Sequence, residues 1–301
     1  MSRSKSTKAV PRIISVAIVL IFAVIFAVSG FNGEKTETKP AAVQNSGEGR
    51  LSVHYLDVGQ GDSEFVQLPN GECMLIDAGD MNYGGEITEQ IKSLGYDKID
   101  YLIATHPHAD HIGGMSEVIE NFEIGEIYMP RAITNTATFE ELLNTISDKG
   151  LSISTARSET VIEESGGLTM EFLAPCSAEY DDLNNYSAVL KITYNDSSFI
   201  FMGDAEDVSE NEMLENSYSK LNSDVLKVGH HGSKYSTTED FLNAVSPEYA
   251  VISCGKDNSY GHAHNETVKR LTDAGVKLYR TDRLGAVTIS TNGDGSYDVD
   301  Y

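Results

Sequence analysis

Four side chains able to bind a metal fall within six positions of the segment A-T-H-P-H-A-D-H-I-G-G, residues 104–114: His106, His108, Asp110 and His111. Imidazole and carboxylate together suit zinc, manganese or iron. The segment follows I-D-Y-L-I-A-T (99–105), which reads as a buried strand. A loop at a strand end can turn all four groups inward, whereas a helix would distribute them around its axis. Ile112-Gly113-Gly114 then lets the chain turn tightly into the next helix. Of eight histidines, seven lie in three clusters, 106/108/111, 230/231 and 262/264. Clustering of this kind points to a metal-dependent site and away from scattered surface histidines. His54 stands apart inside a strand and is read as a structural or exposed strand residue.

The elements that must position these groups begin at Leu51. Strand runs L-S-V-H-Y-L-D (51–57), E-F-V-Q-L (64–68) and C-M-L-I-D (73–77) follow one another across Gly-rich turns. A helical period over 86–94 places Ile87, Ile91 and Leu94 on one face. Strand 99–105, helix 113–122, strand 124–129 and helix 138–148 come next. A strand-rich middle (151–202) leads to helix 206–216, strand 224–228, helix 238–245, strand 249–253 and helix 265–274. Strand clusters alternating with helices in both halves predict two sheets packed together with helices outside, one α/β domain over 51–301 of αββα four-layer type. In the turn D-V-G-Q-G-D, Asp57, Gln60 and Asp62 sit beside Gly59 and Gly61, which permit positive φ and close backbone approach.

The chain's 301 residues carry a formal net charge of -24, and residues 51–301 hold 43 acidic against 15 basic residues. That field offers no broad basic surface for a polyanion. Bound divalent metals would invert the charge locally, so a nucleic-acid substrate must be argued from the site. Arg3, Lys5, Lys8 and Arg12 form a basic flank (1–12) before an uncharged apolar segment, 13–30. This is the pattern of a signal-anchor or a cleavable signal peptide, so a domain outside the cell membrane, anchored or secreted, is expected. Residues 31–50 read as a polar linker. Cys73, Cys176 and Cys254 lack metal-type spacing and are read as free thiols.

H-x-H-x-D-H, a later strand-terminal Asp and a last His together resemble the metallo-β-lactamase superfamily. The resemblance implies the metallo-β-lactamase fold and a binuclear centre of two divalent ions, zinc or manganese. It places His106 and His108 on the first metal and Asp110 with His111 on the second. Asp204 in F-I-F-M-G-D-A would bridge both, His230-His231 would carry the last ligand, and Asp77 in L-I-D-A-G would support the metal loop from behind. A narrower resemblance rests on H-Y-L-D-V-G-Q-G-D-S (54–63), N-N-Y-S-A-V-L (184–190), G-D-A-E (203–206), L-K-V-G-H-H-G-S (226–233) and N-S-Y-G-H-A-H (258–264). These five, in order, are similar to the hydrolase domain of ComEC-type DNA-uptake proteins. With a single apolar segment, this chain cannot itself form their DNA channel. No His occurs between His111 and His230, so the superfamily's usual third imidazole on the first metal is absent. Asn184, Asn185 and Ser187 stand in its place, which leaves that metal an open position and argues against a β-lactam-hydrolysing enzyme.

The expected activity is therefore a phosphodiesterase, a nuclease acting on extracellular DNA. The candidate catalytic residues are His231, Asp110, His262 and Asp62. His230 is expected to be the ligand of its pair and His231 the proton donor. Asn185, Ser187, His264 and Lys234 are expected near the substrate or behind the ligands. The expected partners are the phosphodiester and, through 13–30, a membrane; no protein partner is inferred. A small-molecule hydrolase acting on a lactone, thioester or cyclic phosphodiester is the alternative, and a non-catalytic protein keeping metal for stability is a third reading.

Overall fold

The computed structural model describes residues 49–301. The basic flank, the apolar segment and nearly all of the linker lie outside the described residues. No helix among the described residues is long and apolar enough to cross a membrane.

Two mixed sheets face each other. In the eight-stranded sheet, antiparallel strands Leu51–Tyr55, Glu64–Gln67 and Cys73–Ile76 lead into parallel strands Lys98–Ile103, Glu123–Met129 and Ile153–Thr155. Val287–Thr291 and Asp298–Asp300 complete its other edge. In the seven-stranded sheet, Ser197–Phe201, Val225–Lys227, Tyr249–Ile252 and Lys277–Arg280 run parallel. Leu190–Tyr194, Leu168–Phe172 and Val161–Ser165 continue it antiparallel.

Strand parity explains why the central strands read as unbroken apolar runs. Side chains alternate between faces, and both faces here are covered. In Cys73–Ile76, Met74 and Ile76 join the core between the sheets, while Cys73 and Leu75 pack under helices. In the second sheet, Phe199 and Phe201 enter the inter-sheet core, and Ile200 with Leu226 packs under the other helices. Three cores thus separate four layers. Helix Gly84–Ser93 buries Ile87 and Ile91, and Ala137–Asp148 buries Phe139, Leu142 and Ile146. Thr136 and Thr238 cap Ala137–Asp148 and Glu239–Val245 by accepting from Phe139 and Phe241 N–H.

One local expectation changes. The metal-capable segment is not loop throughout, because Ala109–Ile112 closes one helical turn after His108. A single turn does not scatter its residues around an axis, so Asp110 and His111 still reach the same cleft as His106 and His108. Gly114 makes the following approach possible, since a Cβ there would lie 2.3 Å from the Ala78 carbonyl oxygen. The three cysteines are free; Cys73 and Cys254 are buried and Cys176 is half-buried. His54 is half-buried between Thr288 and Gln67, 3.0 Å from each.

Candidate metal centre

The carboxyl ends of neighbouring parallel strands in both sheets converge on one cleft, where ligands of open α/β sheets usually bind. Strand Cys73–Ile76 delivers Asp77, Lys98–Ile103 delivers the His106–His111 turn, Ser197–Phe201 delivers Asp204, and Val225–Lys227 delivers His230 and His231. The cleft encloses about 290 Å³ and is lined by His108, Asp110, Asn184, Asp204, His230 and His262, among others.

Two sets of ligand atoms form, each with its members within 4.8 Å of one another: His106, His108 and Asp204, and Asp62, His111, Asp204 and His231. Asp204 belongs to both. Its Oδ2 lies 3.7 Å from His106 Nε2, and its Oδ1 lies 3.2 Å from His111 Nε2 and 3.4 Å from His231 Nε2. His111 Nε2, His231 Nε2 and Asp204 Oδ1 are all buried without a hydrogen-bond partner. Buried polar atoms are rarely left so. Convergent orphaned nitrogens and a carboxylate oxygen fit a divalent cation that would accept their lone pairs.

The far sides of these rings are held. Asp77, at a positive φ of 55°, accepts from His111 Nδ1 at 2.6 Å and from Thr105 N and Oγ1 at 2.8 and 2.6 Å. The Ser253 carbonyl accepts from His231 Nδ1 at 3.0 Å. Such contacts fix the tautomer and aim Nε2 into the cleft. Ser187 Oγ accepts from Asp204 N at 3.0 Å, and Asn185 Oδ1 accepts from Glu206 N and Ser209 N. Gly61, whose Cβ would come within 2.4 Å of the Asp110 carbonyl oxygen, lets Asp62 N donate to that oxygen at 3.2 Å.

Electrostatics follow the same geometry. Burial opposes charge on His111, yet the Asp204 and Asp77 carboxylates hold its pKa well above the ordinary value. Burial likewise opposes charge on His231, but Asp204 and Asp62 push it up to about 10. Asp204 resists burial because His111, His231 and His230 hold it well below the usual carboxylate range. Without a cation, protons on the imidazoles balance the carboxylates, and metal uptake would displace them. His262 falls to about 4, through burial and then the neighbouring His231 and His230.

The pair His230-His231 is arranged differently from the expectation. Both residues sit at positive φ, 44° and 53°, a strained backbone of the kind that marks functional sites. His231, expected as proton donor, lies inside a ligand set, 3.4 Å from Asp110 Oδ2. His230, expected as ligand, stands outside both sets, with Nδ1 2.7 Å from Glu206 Oε1. Asp110 borders the cleft, and Asp62 is buried behind His231, 3.1 Å from its Nδ1. Gln60 Nε2 lies 3.4 Å from His262 Nδ1. His264 packs edge-on against His262 and accepts from Lys234 N. Lys234 itself is exposed, its Nζ over the Tyr235 ring, and does not line the cleft.

Sequence reasoning missed Lys227. It is fully buried, and its Nζ donates to Asp62 Oδ2 at 2.5 Å. A lone lysine inside the apolar strand run D-V-L-K-V was the available signal. Glu206, which steadies His230, lay within the G-D-A-E motif but was given no role.

Residues 56–256 match the Metallo-beta-lactamase superfamily, and the chain belongs to that superfamily as a metal-dependent hydrolase. It is 30% identical over 259 residues to ComE operon protein 3 of Bacillus subtilis (strain 168), a match covering 80% of this chain and 33% of that protein. It is also 30% identical over 264 residues to competence protein ComA of Neisseria gonorrhoeae, covering 87% of this chain and 34% of that one. The chain thus spans about a third of the length of these relatives. Among solved structures, CmlA, a diiron beta-hydroxylase from Streptomyces venezuelae, shares the fold with a TM-score of 0.51 at 14% identity, over 76% of this chain and 52% of that one.

Proposed function

We propose that the chain is a binuclear phosphodiesterase acting on DNA outside the cytoplasm. The observation that carries this reading is Asp204, one carboxylate shared by two ligand sets at the floor of an open cleft. His106, His108 and Asp204 would hold one ion. His111, His231 and Asp204 would hold the other, with Asp110 at the mouth and Asp62 behind. Zinc or manganese suits this donor set. When bound, two divalent ions supply positive charge for a phosphoryl group and lower the pKa of water.

The chain's own residues do the rest. Asp77 and Ser253 orient the two buried imidazoles. Glu206 holds His230 Nδ1 and leaves Nε2 on the Asp204 side of the cleft, 3.7 Å from Oδ2. His230 is accordingly the candidate proton donor to the departing oxygen, and His231 takes over the role of ligand. His262 and Asn184 line the same cleft and would contact the substrate. The competence relatives named above support DNA as the substrate, and the basic flank with its apolar segment supports export. Protease added to intact cells should then remove residues 51–301 or the linker.

The deciding experiment incubates metal-loaded protein with single-stranded DNA, duplex DNA, bis-p-nitrophenyl phosphate and a panel of lactones. Cleavage of the phosphodiesters alone supports the proposal, and turnover of lactones alone sinks it. The second reading, a hydrolase for a lactone, thioester or cyclic phosphodiester, is favoured by the net charge of -24, which repels a long polyanion.

A further inference from the structure

Next to the metal centre, on the same rim of the eight-stranded sheet, lies a second cavity. It encloses about 250 Å³, and its lining includes Arg131, Thr155, Arg157, Ser177 and Tyr186. No Asp or Glu lines it, in a chain where residues 51–301 hold 43 acidic against 15 basic residues. Neither arginine forms an ion pair with a carboxylate among the described residues. Arg131 also borders an adjoining cavity lined by Glu179, Asp181, Asp182 and Glu212, and Ser177 Oγ donates to Glu212, but neither guanidinium is paired with these carboxylates. Two unpaired guanidiniums on one concave wall are equipped for an anion, and the planar guanidinium fork matches phosphate.

Topology sets the distance from this cavity to the metal centre. Strand Lys98–Ile103 runs into the His106–His111 turn. Its parallel neighbour Glu123–Met129 runs into Arg131, and the next, Ile153–Thr155, runs into Arg157. Adjacent strands are roughly 4.8 Å apart, so the arginines follow the metal ligands along one sheet edge at about one and two strand spacings. A short oligonucleotide spans that interval. The two cavities also share a wall, the turn Leu183–Tyr186. Asn184 lines the metal cleft and Tyr186 the arginine cavity. An aromatic ring beside cationic groups is the arrangement on which single-stranded bases stack.

We propose that the Arg131–Arg157 cavity is a phosphate subsite that grips a neighbouring phosphate of the single strand whose scissile phosphate occupies the His/Asp cleft. This inference rests on the phosphodiesterase reading, and it gives an acidic protein a local means of holding a polyanion.

The test uses the full purified chain, the double variant R131Q/R157Q and the control R283Q, an exposed arginine outside the cavity. Binding of fluorescein-labelled tetrathymidylate is followed by anisotropy in chelator, with thymidine monophosphate as competitor. The double variant should bind about tenfold more weakly, since charged hydrogen bonds to phosphate are lost, and its salt dependence should be shallower by about 0.7 per contact removed. The control should bind as the parent does. With metal restored, KM for the tetranucleotide should rise in the double variant while kcat and bis-p-nitrophenyl phosphate hydrolysis hold. Equal binding by parent and double variant, or no binding by the parent, overturns the subsite. Thymidine monophosphate bound as tightly as the tetranucleotide, and lost equally in the double variant, overturns the strand reading. If the parent cleaves neither phosphodiester, the phosphodiesterase reading fails and the binding arm alone decides the subsite.

Discussion

Replacing Lys227 with Met should destabilise the protein more than almost any other conservative change. The lysine is fully buried on strand Val225–Lys227, with Nζ 2.5 Å from Asp62 Oδ2, 3.2 Å from the Val228 carbonyl oxygen and 4.0 Å from Glu64 Oε1. Burial opposes its charge, but Asp62 and then Glu64 raise its pKa. Burial also works against Asp62, which is nonetheless held below its ordinary value, chiefly by Lys227. Glu64 is raised well above the usual range by burial and by Asp62. Methionine fills the same space but removes the cation on Asp62 Oδ2 and leaves only His231, 3.1 Å from Oδ1, a loss of up to about 3–5 kcal/mol. At roughly 2–4 °C per kcal/mol for a domain of this size, the melting midpoint should fall by about 6–20 °C. Denaturant unfolding at pH 7 in chelator measures this without interference from bound metal. Lys227→Met/Asp62→Asn should recover much of the loss, because the carboxylate that lost its lysine is then neutral and His231 keeps Asp204 and Asp110 beside its Nε2. A loss under about 1 kcal/mol, against the expected value, would refute the argument, as would a double variant no more stable than the single.

Three further outcomes are expected. Asp204→Asn should lose bound metal and activity together, because an amide is a poor ligand and cannot balance two cations; retention of a full metal complement, read by elemental analysis, would contradict the shared-ligand role. His231→Ala should lose metal, whereas His230→Ala should keep it while phosphodiester turnover drops by about 10²-fold, the usual worth of a placed proton donor; the reverse pattern of metal contents would restore the sequence-based assignment. Glu210, fully buried and accepting from Thr237 N and Thr238 N, has its pKa pushed up by burial to about 7. The folded state then keeps a proton that the unfolded chain has released, so stability should decline as pH rises from about 4.5 to 7, by on the order of 3 kcal/mol. Glu210→Gln should flatten that slope, and an unchanged slope in chelator would count against it.

Much of the catalytic face was legible in the chain because its chemistry is local. His106, His108, Asp110 and His111 are consecutive enough that a strand end and one turn suffice to bring them together. Unbroken apolar runs such as C-M-L-I and F-I-F-M state that both faces of a strand are covered, and with the helical periods between them they imply stacked sheets. The turn residues are equally direct: Gly61 and Gly114 stand where another backbone passes too close for a Cβ. Tertiary structure alone decided which imidazole of the His230-His231 pair falls inside a candidate ligand set. Adjacent residues share composition and neighbourhood, and only the left-handed backbone of both, with Ser253 behind one ring and Glu206 beside the other, separates their directions. Lys227 and Asp62 lie 165 positions apart, one on a strand of the seven-stranded sheet and the other in a turn of the eight-stranded sheet, so no spacing rule could pair them. The arginine cavity has the same origin. Arg131 and Arg157 follow different strands, and they become neighbours only because those strands pair in parallel along the edge that continues from the metal-capable turn.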